Sequence, residues 1–193
     1  MKNKKKVLKI IAEKLKGMPW AIFSGTAIEI YTKGKRKGND IDIIVPGDKI
    51  DEIGRRFKVK PVLETREGGG VKLVNDYHIN TMVDGIEVEF VGKTEKTIIN
   101  GEIYKFTQDL KRRLFTKVKR KKYLGVNVFV VLVEEILTQK MIFDRSGVWQ
   151  DREDVKLLLA TEKIDKKALI RAMDRWGVKK KKQKIFLSKI TKI

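Results

Sequence analysis

Two short segments, in which apolar and acidic residues alternate with a period of two, constrain this chain most tightly. In Asp40-Ile41-Asp42-Ile43-Ile44-Val45, an extended backbone sends Ile41, Ile43 and Val45 to one side and Asp40 and Asp42 to the other. Ile86-Glu87-Val88-Glu89-Phe90-Val91 repeats the pattern, with Glu87 and Glu89 opposite Ile86, Val88 and Phe90. A helix would scatter these residues around its circumference, whereas a sheet buried on one face sorts them. Both segments are therefore expected to be strands with one buried side and paired carboxylates on the other. Asp84-Gly85 is a hairpin signal that joins the second to a strand at 78–83.

If the two strands are neighbours, Asp40, Asp42 and one of the glutamates converge. Carboxylates held that close repel one another and raise their own pKa values. A divalent cation reverses the problem. Magnesium takes hard oxygen ligands and commonly combines one or two carboxylates with substrate phosphates; manganese is the alternative. An acidic strand face is by itself equally compatible with simple solvation, so the residues upstream decide.

Those residues are Ser24-Gly25-Thr26, directly after the apolar strand Trp20-Ala21-Ile22-Phe23 and before a helix expected from residue 27. Glycine there allows a phosphate close to the backbone. Amides at a following helix start can donate to it, as can the Ser24 and Thr26 hydroxyls.

The rest of the chain reads as a mixture of strands and helices. Helical spacing is expected over 4–16, 48–57 with Asp48 as N-cap, 133–143, 151–160 and 166–176. Further strand-like runs fall at 61–65, 71–75 and 126–131, and Gly92 is expected to end the strand that holds Glu89. Residues 102–123 carry no clear period. The fold class is therefore α+β: a mixed sheet core flanked by helices over 1–125, and a mainly helical C-terminal part over 126–193.

FSGTAIEIYTKGKRKGNDIDIIV resembles the signature of the polymerase-beta-type nucleotidyltransferase superfamily. That signature is a strand, a glycine followed by a small hydroxyl residue, a spacer, then D-h-D-h-h. Gly25-Thr26 matches the first element and Asp40 and Asp42 the second. Arg36 and Lys37 stand only loosely for the arginine usual before the acidic pair. GIEVEFVG is similar to the later strand that supplies a third carboxylate, which places Glu89 rather than Glu87 in that role. VEEILTQKMIFDRSGVWQDREDVKLLL is similar to the C-terminal helices of small members related to abortive-infection toxins. Lys140, Arg145, Asp151 and Asp154 occupy the corresponding positions.

The resemblance implies nucleotidyl transfer from a nucleoside triphosphate to a hydroxyl, with Asp40, Asp42 and Glu89 holding Mg²⁺ or Mn²⁺. Ser24, Gly25, Thr26, Lys140 and Asp151 are the implied nucleotide-binding residues, and Lys140 also assists catalysis. A non-catalytic nucleic-acid-binding or regulatory protein on the same scaffold is the alternative.

Charge bears on the partner. The 193 residues contain 45 Lys and Arg against 25 Asp and Glu, a net +20. Such a surplus attracts polyanions. The basic segments 111–122 and 179–184 are the RNA-binding candidates, with Phe115 and Tyr123 available for base stacking. An all-lysine solvated surface would give the same count. The absence of Cys excludes thiolate chemistry and disulfides. No run is long and apolar enough for a membrane span, so a cytoplasmic protein is expected. His78 and the Gly68-Gly69-Gly70 run are expected to be structural.

Overall fold

A computed structural model of the chain describes residues 2–68, 70–105, 114, 117–142 and 149–190. Among the described residues eight strands form one mixed sheet: β1 (Ala21–Phe23), β2 (Ile41–Ile44), β3 (Val62–Gly68), β4 (Val71–Val83), β5 (Ile86–Ile99), β6 (Glu102–Lys105), β7 (Val118–Tyr123) and β8 (Val126–Val131). Their order is β3-β4-β5-β2-β1-β8-β7, with β6 paired to β5. The pairs β2–β5 and β1–β8 are parallel and the remainder antiparallel. Helices α1 (Lys2–Lys14), α2 (Ser24–Tyr31), α3 (Ile50–Phe57), α4 (Val133–Ile142), α5 (Trp149–Thr161), α6 (Lys166–Arg175) and α7 (Lys180–Ile190) surround it. The α+β expectation holds.

The period-two pattern sorts the sheet as expected. Ile22 pairs with Ile43, Ile41 with Val88 and Ile43 with Phe90, and all five are fully buried on one face. Each such side chain contributes about 1.5–3 kcal/mol of burial. Helix α3 covers this face through Phe57, whose ring centroid lies 4.8 Å from that of Phe90. Phe23, Asp42, Ile44, Glu89, Val91 and Val131 take the other face, which meets α4 and the end of α6.

Gly92 does not end its strand. β5 continues to Ile99, and the register with β4 slips between Tyr77 and His78 so that Gly92 is an extra residue. A Cβ there would lie 3.1 Å from both the Ile50 Cβ and the Tyr77 carbonyl oxygen. Glycine thus permits a bulge that re-aims the strand rather than stopping it. The same pairing makes 71–83 one strand instead of two short ones. Asp48 does not cap α3, because a 3₁₀ turn over Gly47–Lys49 precedes it and Lys49 holds the cap position.

The division expected after residue 125 falls inside the β7–β8 hairpin. β8 runs between β1 and β7 in the core sheet, so the helical part begins at Val133. The lysine-rich tail also forms a helix, α7, whose buried Gln183 bonds the Val178 carbonyl and Asp174. Among the described residues no helix is long and apolar enough to cross a membrane.

Candidate active site

Strand register assembles the first carboxylates. Asp42 stands opposite Phe23 on one side and Glu89 on the other, and Asp40 lies just before β2. Asp40 is exposed and Asp42 partly buried. Burial, reinforced by the nearby charges of Asp40 and Glu89, pushes the Asp42 carboxyl up to about 7. A hydrogen bond from Ser24 and the Lys140 charge pull it down only part of the way.

Ser24 opens α2 with φ of 55°, a left-handed backbone that a non-glycine residue holds at a cost of about 1–3 kcal/mol. That tight strand-to-helix turn is what brings its hydroxyl to Asp42. Thr26 is fully buried and its hydroxyl donates to the Asp40 carbonyl at 2.5 Å. It therefore ties the start of β2 to α2. Lys4 reinforces the tie, reaching Glu29 at 2.7 Å, the Gly38 carbonyl at 2.9 Å and Thr26 at 3.3 Å. Burial raises the Glu29 carboxyl, but hydrogen bonds from Lys4, Tyr123 and the Gly38 amide win and hold it low.

A cation pair completes this end of the site. Arg36 Nε lies 2.8 Å from Asp154 Oδ1, and Lys140 Nζ 3.0 Å from Oδ2 of the same carboxylate, which is 1% exposed. The Arg36 guanidinium sits over Gly25, where an added Cβ would come within 2.9 Å of Nη1. Gly25 thus leaves room for Arg36, a requirement independent of any phosphate. The loosely placed Arg36 is the residue that reaches the glycine. Of the D-x-x-D pair, Asp154 organises the cations. The Asp151 side chain and all of Arg145 lie outside the described residues.

Glu89 shares the face of Asp42 but turns to another partner. Its Oε1 lies 2.6 Å from the Arg66 guanidinium, off the line of a hydrogen bond. Arg66 also pairs with Asp76, which is fully buried, accepts from Thr94 Oγ1 at 2.6 Å and sits 3.3 Å from His78 Nδ1. Among the described residues no three Asp, Glu or His side chains are arranged to hold a metal. Asp40 and Asp42 remain together as a hard-oxygen pair, sufficient for Mg²⁺ when phosphates supply other ligands. Glu89 would join them only by leaving Arg66. Glu87 lies on the same face two residues toward the start of β5, but it is exposed. Arg66 was not legible in the sequence: Val62–Gly68 is nearly all exposed, without an apolar alternation to mark its inward residue.

Neither a family model nor a curated protein matches the sequence. Solved structures do match. The antibiotic-resistance factor ANT(2'')-Ia aligns at TM-score 0.56 and 14% identity over 90% of this chain and 92% of its own. A nucleotidyltransferase-like antigenic protein of Paracoccidioides brasiliensis gives 0.54 and 15% over 99% and 93%. A Thermotoga maritima protein assigned as a nucleotidyltransferase gives 0.52 and 18% over 81% and 92%. The chain has the nucleotidyltransferase fold.

On this nucleotidyltransferase scaffold the carboxylates border a cavity of about 180 Å³. It runs from Asp42, Glu89 and Arg66 past Ile44 and Val91 to Ile136 and Trp176. Glu135 lies at its wall, 5% exposed, accepting from Trp176 Nε1 at 2.7 Å and pairing with Arg175.

The basic segments are partly committed elsewhere. Lys179 and Lys182 pair with Glu102, drawing its carboxyl down to about 2, and Lys180 pairs with Asp174. Of 111–122, residues 118–122 form the edge strand β7, where Lys121 lies 4.7 Å from the Tyr31 ring centroid and 3.5 Å from Glu162. Tyr123 hydrogen-bonds Glu29, and Phe115 lies outside the described residues. His78 is buried against Asp76, as expected of a structural residue.

Proposed function

We propose that this chain is a divalent-metal-dependent nucleotidyltransferase that moves a nucleoside monophosphate from a triphosphate to a hydroxyl acceptor. One juxtaposition carries the reading: an acidic pair, the exposed Asp40 and the partly buried Asp42, beside a strained Ser24-Gly25 turn and the cations Arg36 and Lys140. Anionic phosphates suit the α2 amides and those two cations. The Asp42 carboxyl, pushed up by burial and by its acidic neighbours, supports a site suited to positive charge.

Asp40 and Asp42, joined by Glu89 once it parts from Arg66, would hold Mg²⁺ or Mn²⁺, which supplies Lewis-acid charge for the departing pyrophosphate. Ser24 orients Asp42. Glu89 accepts the proton of the attacking hydroxyl. Arg36 and Lys140 meet developing charge on the phosphates, and Asp154 fixes both cations for that role.

The +20 balance favours anionic partners, the triphosphate as well as an RNA acceptor. Small acceptors also occur on this fold: ANT(2'')-Ia has been solved with adenylyl-2''-tobramycin. A non-catalytic binder is the second reading, favoured by the Arg66–Glu89 ion pair, which holds the third carboxylate off the acidic pair.

Incubation with each α-labelled nucleoside triphosphate, Mg²⁺ or Mn²⁺, and RNA, protein or small-molecule fractions tests the proposal. Label transfer should occur and vanish in Asp40→Ala/Asp42→Ala. Nucleic-acid binding that survives this double substitution, with no label transferred by the wild type, supports the binder instead.

A further inference from the structure

We propose that the cavity beside Glu89 is the acceptor subsite and that the acceptor is a small alcohol or phenol with an apolar body about one ring in size. This rests on the nucleotidyl-transfer reading. Position comes first. Gly25, Arg36 and the Asp40 carboxylate lie at the start of β2, whereas the cavity extends from Asp42 toward Ile44. β2 and β5 are parallel, with Ile44 opposite Val91, so the cavity follows both strands away from the cation end. The carboxylates therefore separate a phosphate-binding end from an apolar one, which is where attacking and leaving groups of an in-line displacement must lie.

Chemistry of the walls narrows the occupant. Phe23, Ile44, Val91, Val131, Ile136 and Trp176 line the interior. A polyanion entering there would lose its hydration without gaining a free counter-charge from the described residues that line it. Among the described residues Arg66 is the basic residue at the cavity, and it pairs with the fully buried Asp76 as well as with Glu89, so it keeps a counter-charge when Glu89 turns away. Glu135 is occupied by Trp176 and Arg175. The volume of about 180 Å³ is close to the roughly 150 Å³ of an apolar cavity that holds benzene. Arg66 Nε is buried without a hydrogen-bond partner among the described residues, so an oxygen substituent on the occupant would satisfy that donor.

In the reaction the acceptor oxygen forms a bond to the α-phosphorus, and the bond from that phosphorus to the bridging oxygen breaks. The bonding pair leaves with pyrophosphate. The hydroxyl proton passes to Glu89 and then to water.

Benzyl alcohol is the probe, followed by ligand-observed NMR on the full chain. It should bind the wild type. Leu73→Trp and Gln139→Trp, half-buried cavity residues outside the nucleotide machinery, should each weaken it about tenfold by filling the space. Binding of the triphosphate with Mg²⁺ should change less than about twofold in both variants. Label should reach benzyl alcohol or phenol from the triphosphate, with a raised KM in the two variants.

Failure of benzyl alcohol to bind overturns the proposal, as does binding indifferent to both substitutions. Loss of nucleotide binding in the folded variants makes the cavity a nucleobase site and also overturns it. Label found only on RNA or protein overturns the acceptor class while leaving nucleotidyl transfer intact. Alcohol binding without any nucleotide binding overturns the transferase reading, and the acceptor role with it.

Discussion

Asp42 and Asp154 are both drawn out of water at the same site, and they are treated in opposite ways. Asp154 lies between two cations, Arg36 at 2.8 Å and Lys140 at 3.0 Å. Asp42 faces two other carboxylates and has one hydroxyl and the Lys140 charge as compensation. A buried acid between bases is structural, because its charge is answered within the chain. A buried acid among acids is unfavourable in the free protein and would be relieved by positive charge from outside. On the proposed reading, the contrast separates the carboxylate that the fold uses for itself from the one it holds for a ligand.

Exchanging each acid for its amide should separate the two roles most widely. Asp42→Asn should reduce label transfer about 10²–10³-fold, the size of effect seen when one preorganised electrostatic group is removed. Its urea midpoint should be unchanged or higher at pH 8, since the substitution removes a repulsion. Asp154→Asn should instead lose about 3 kcal/mol of stability, because Arg36 and Lys140 then stand partly buried without their shared counter-charge. Equal stability losses in the two variants would erase the distinction.

A smaller effect tests whether Gly25 serves Arg36. Gly25→Ala places a methyl within 2.9 Å of the Arg36 Nη1, the far end of a flexible side chain, and should cost about 1 kcal/mol by shifting the guanidinium that pairs with Asp154. In the background of Arg36→Ala the same substitution should cost about 0.5 kcal/mol or less, since the colliding group is gone. A double-mutant cycle from urea melts reads this directly. Additive costs would mean that Gly25 is required by the backbone instead.

What sequence made legible follows the same division. Asp40, Asp42 and the Glu89 strand were readable because period-two alternation reports which face a side chain takes, and both strands keep it. Ser24-Gly25-Thr26 was readable as a turn, but Thr26 spends its hydroxyl on the Asp40 carbonyl, a contact that no local pattern announces. Arg66 and its hold on Glu89 depend on β3 folding back over β4, and exposed residues along Val62–Gly68 carry no periodic signal. Gly92 misled for a related reason: a glycine that ends a strand and one that bulges it look alike until the partner strand is in place. Local geometry was encoded locally, whereas the pairing of charges across distant strands was not.

The smallest effect is the pH dependence of the free protein. Asp42 titrates near 7 in the fold, against an ordinary value of 3.8. Between those values the folded chain binds more protons at this residue than the unfolded chain, so stability contributed by this group falls as pH rises. The contribution is fully present below about 4 and is lost as pH passes through about 7. A full pKa unit corresponds to about 1.4 kcal/mol, and solvent reaching the half-buried carboxyl reduces what is seen to about 1 kcal/mol between pH 5 and 8. Thermal melts without divalent metal should show this decline, and Asp42→Asn should flatten it. Asp154→Asn, at whatever lower stability it has, should keep it. Added Mg²⁺ should oppose the decline most strongly above pH 7, where Asp42 is ionised and able to bind a cation. If the slope survives in Asp42→Asn, the strain lies elsewhere, and Asp42 loses its contrast with Asp154.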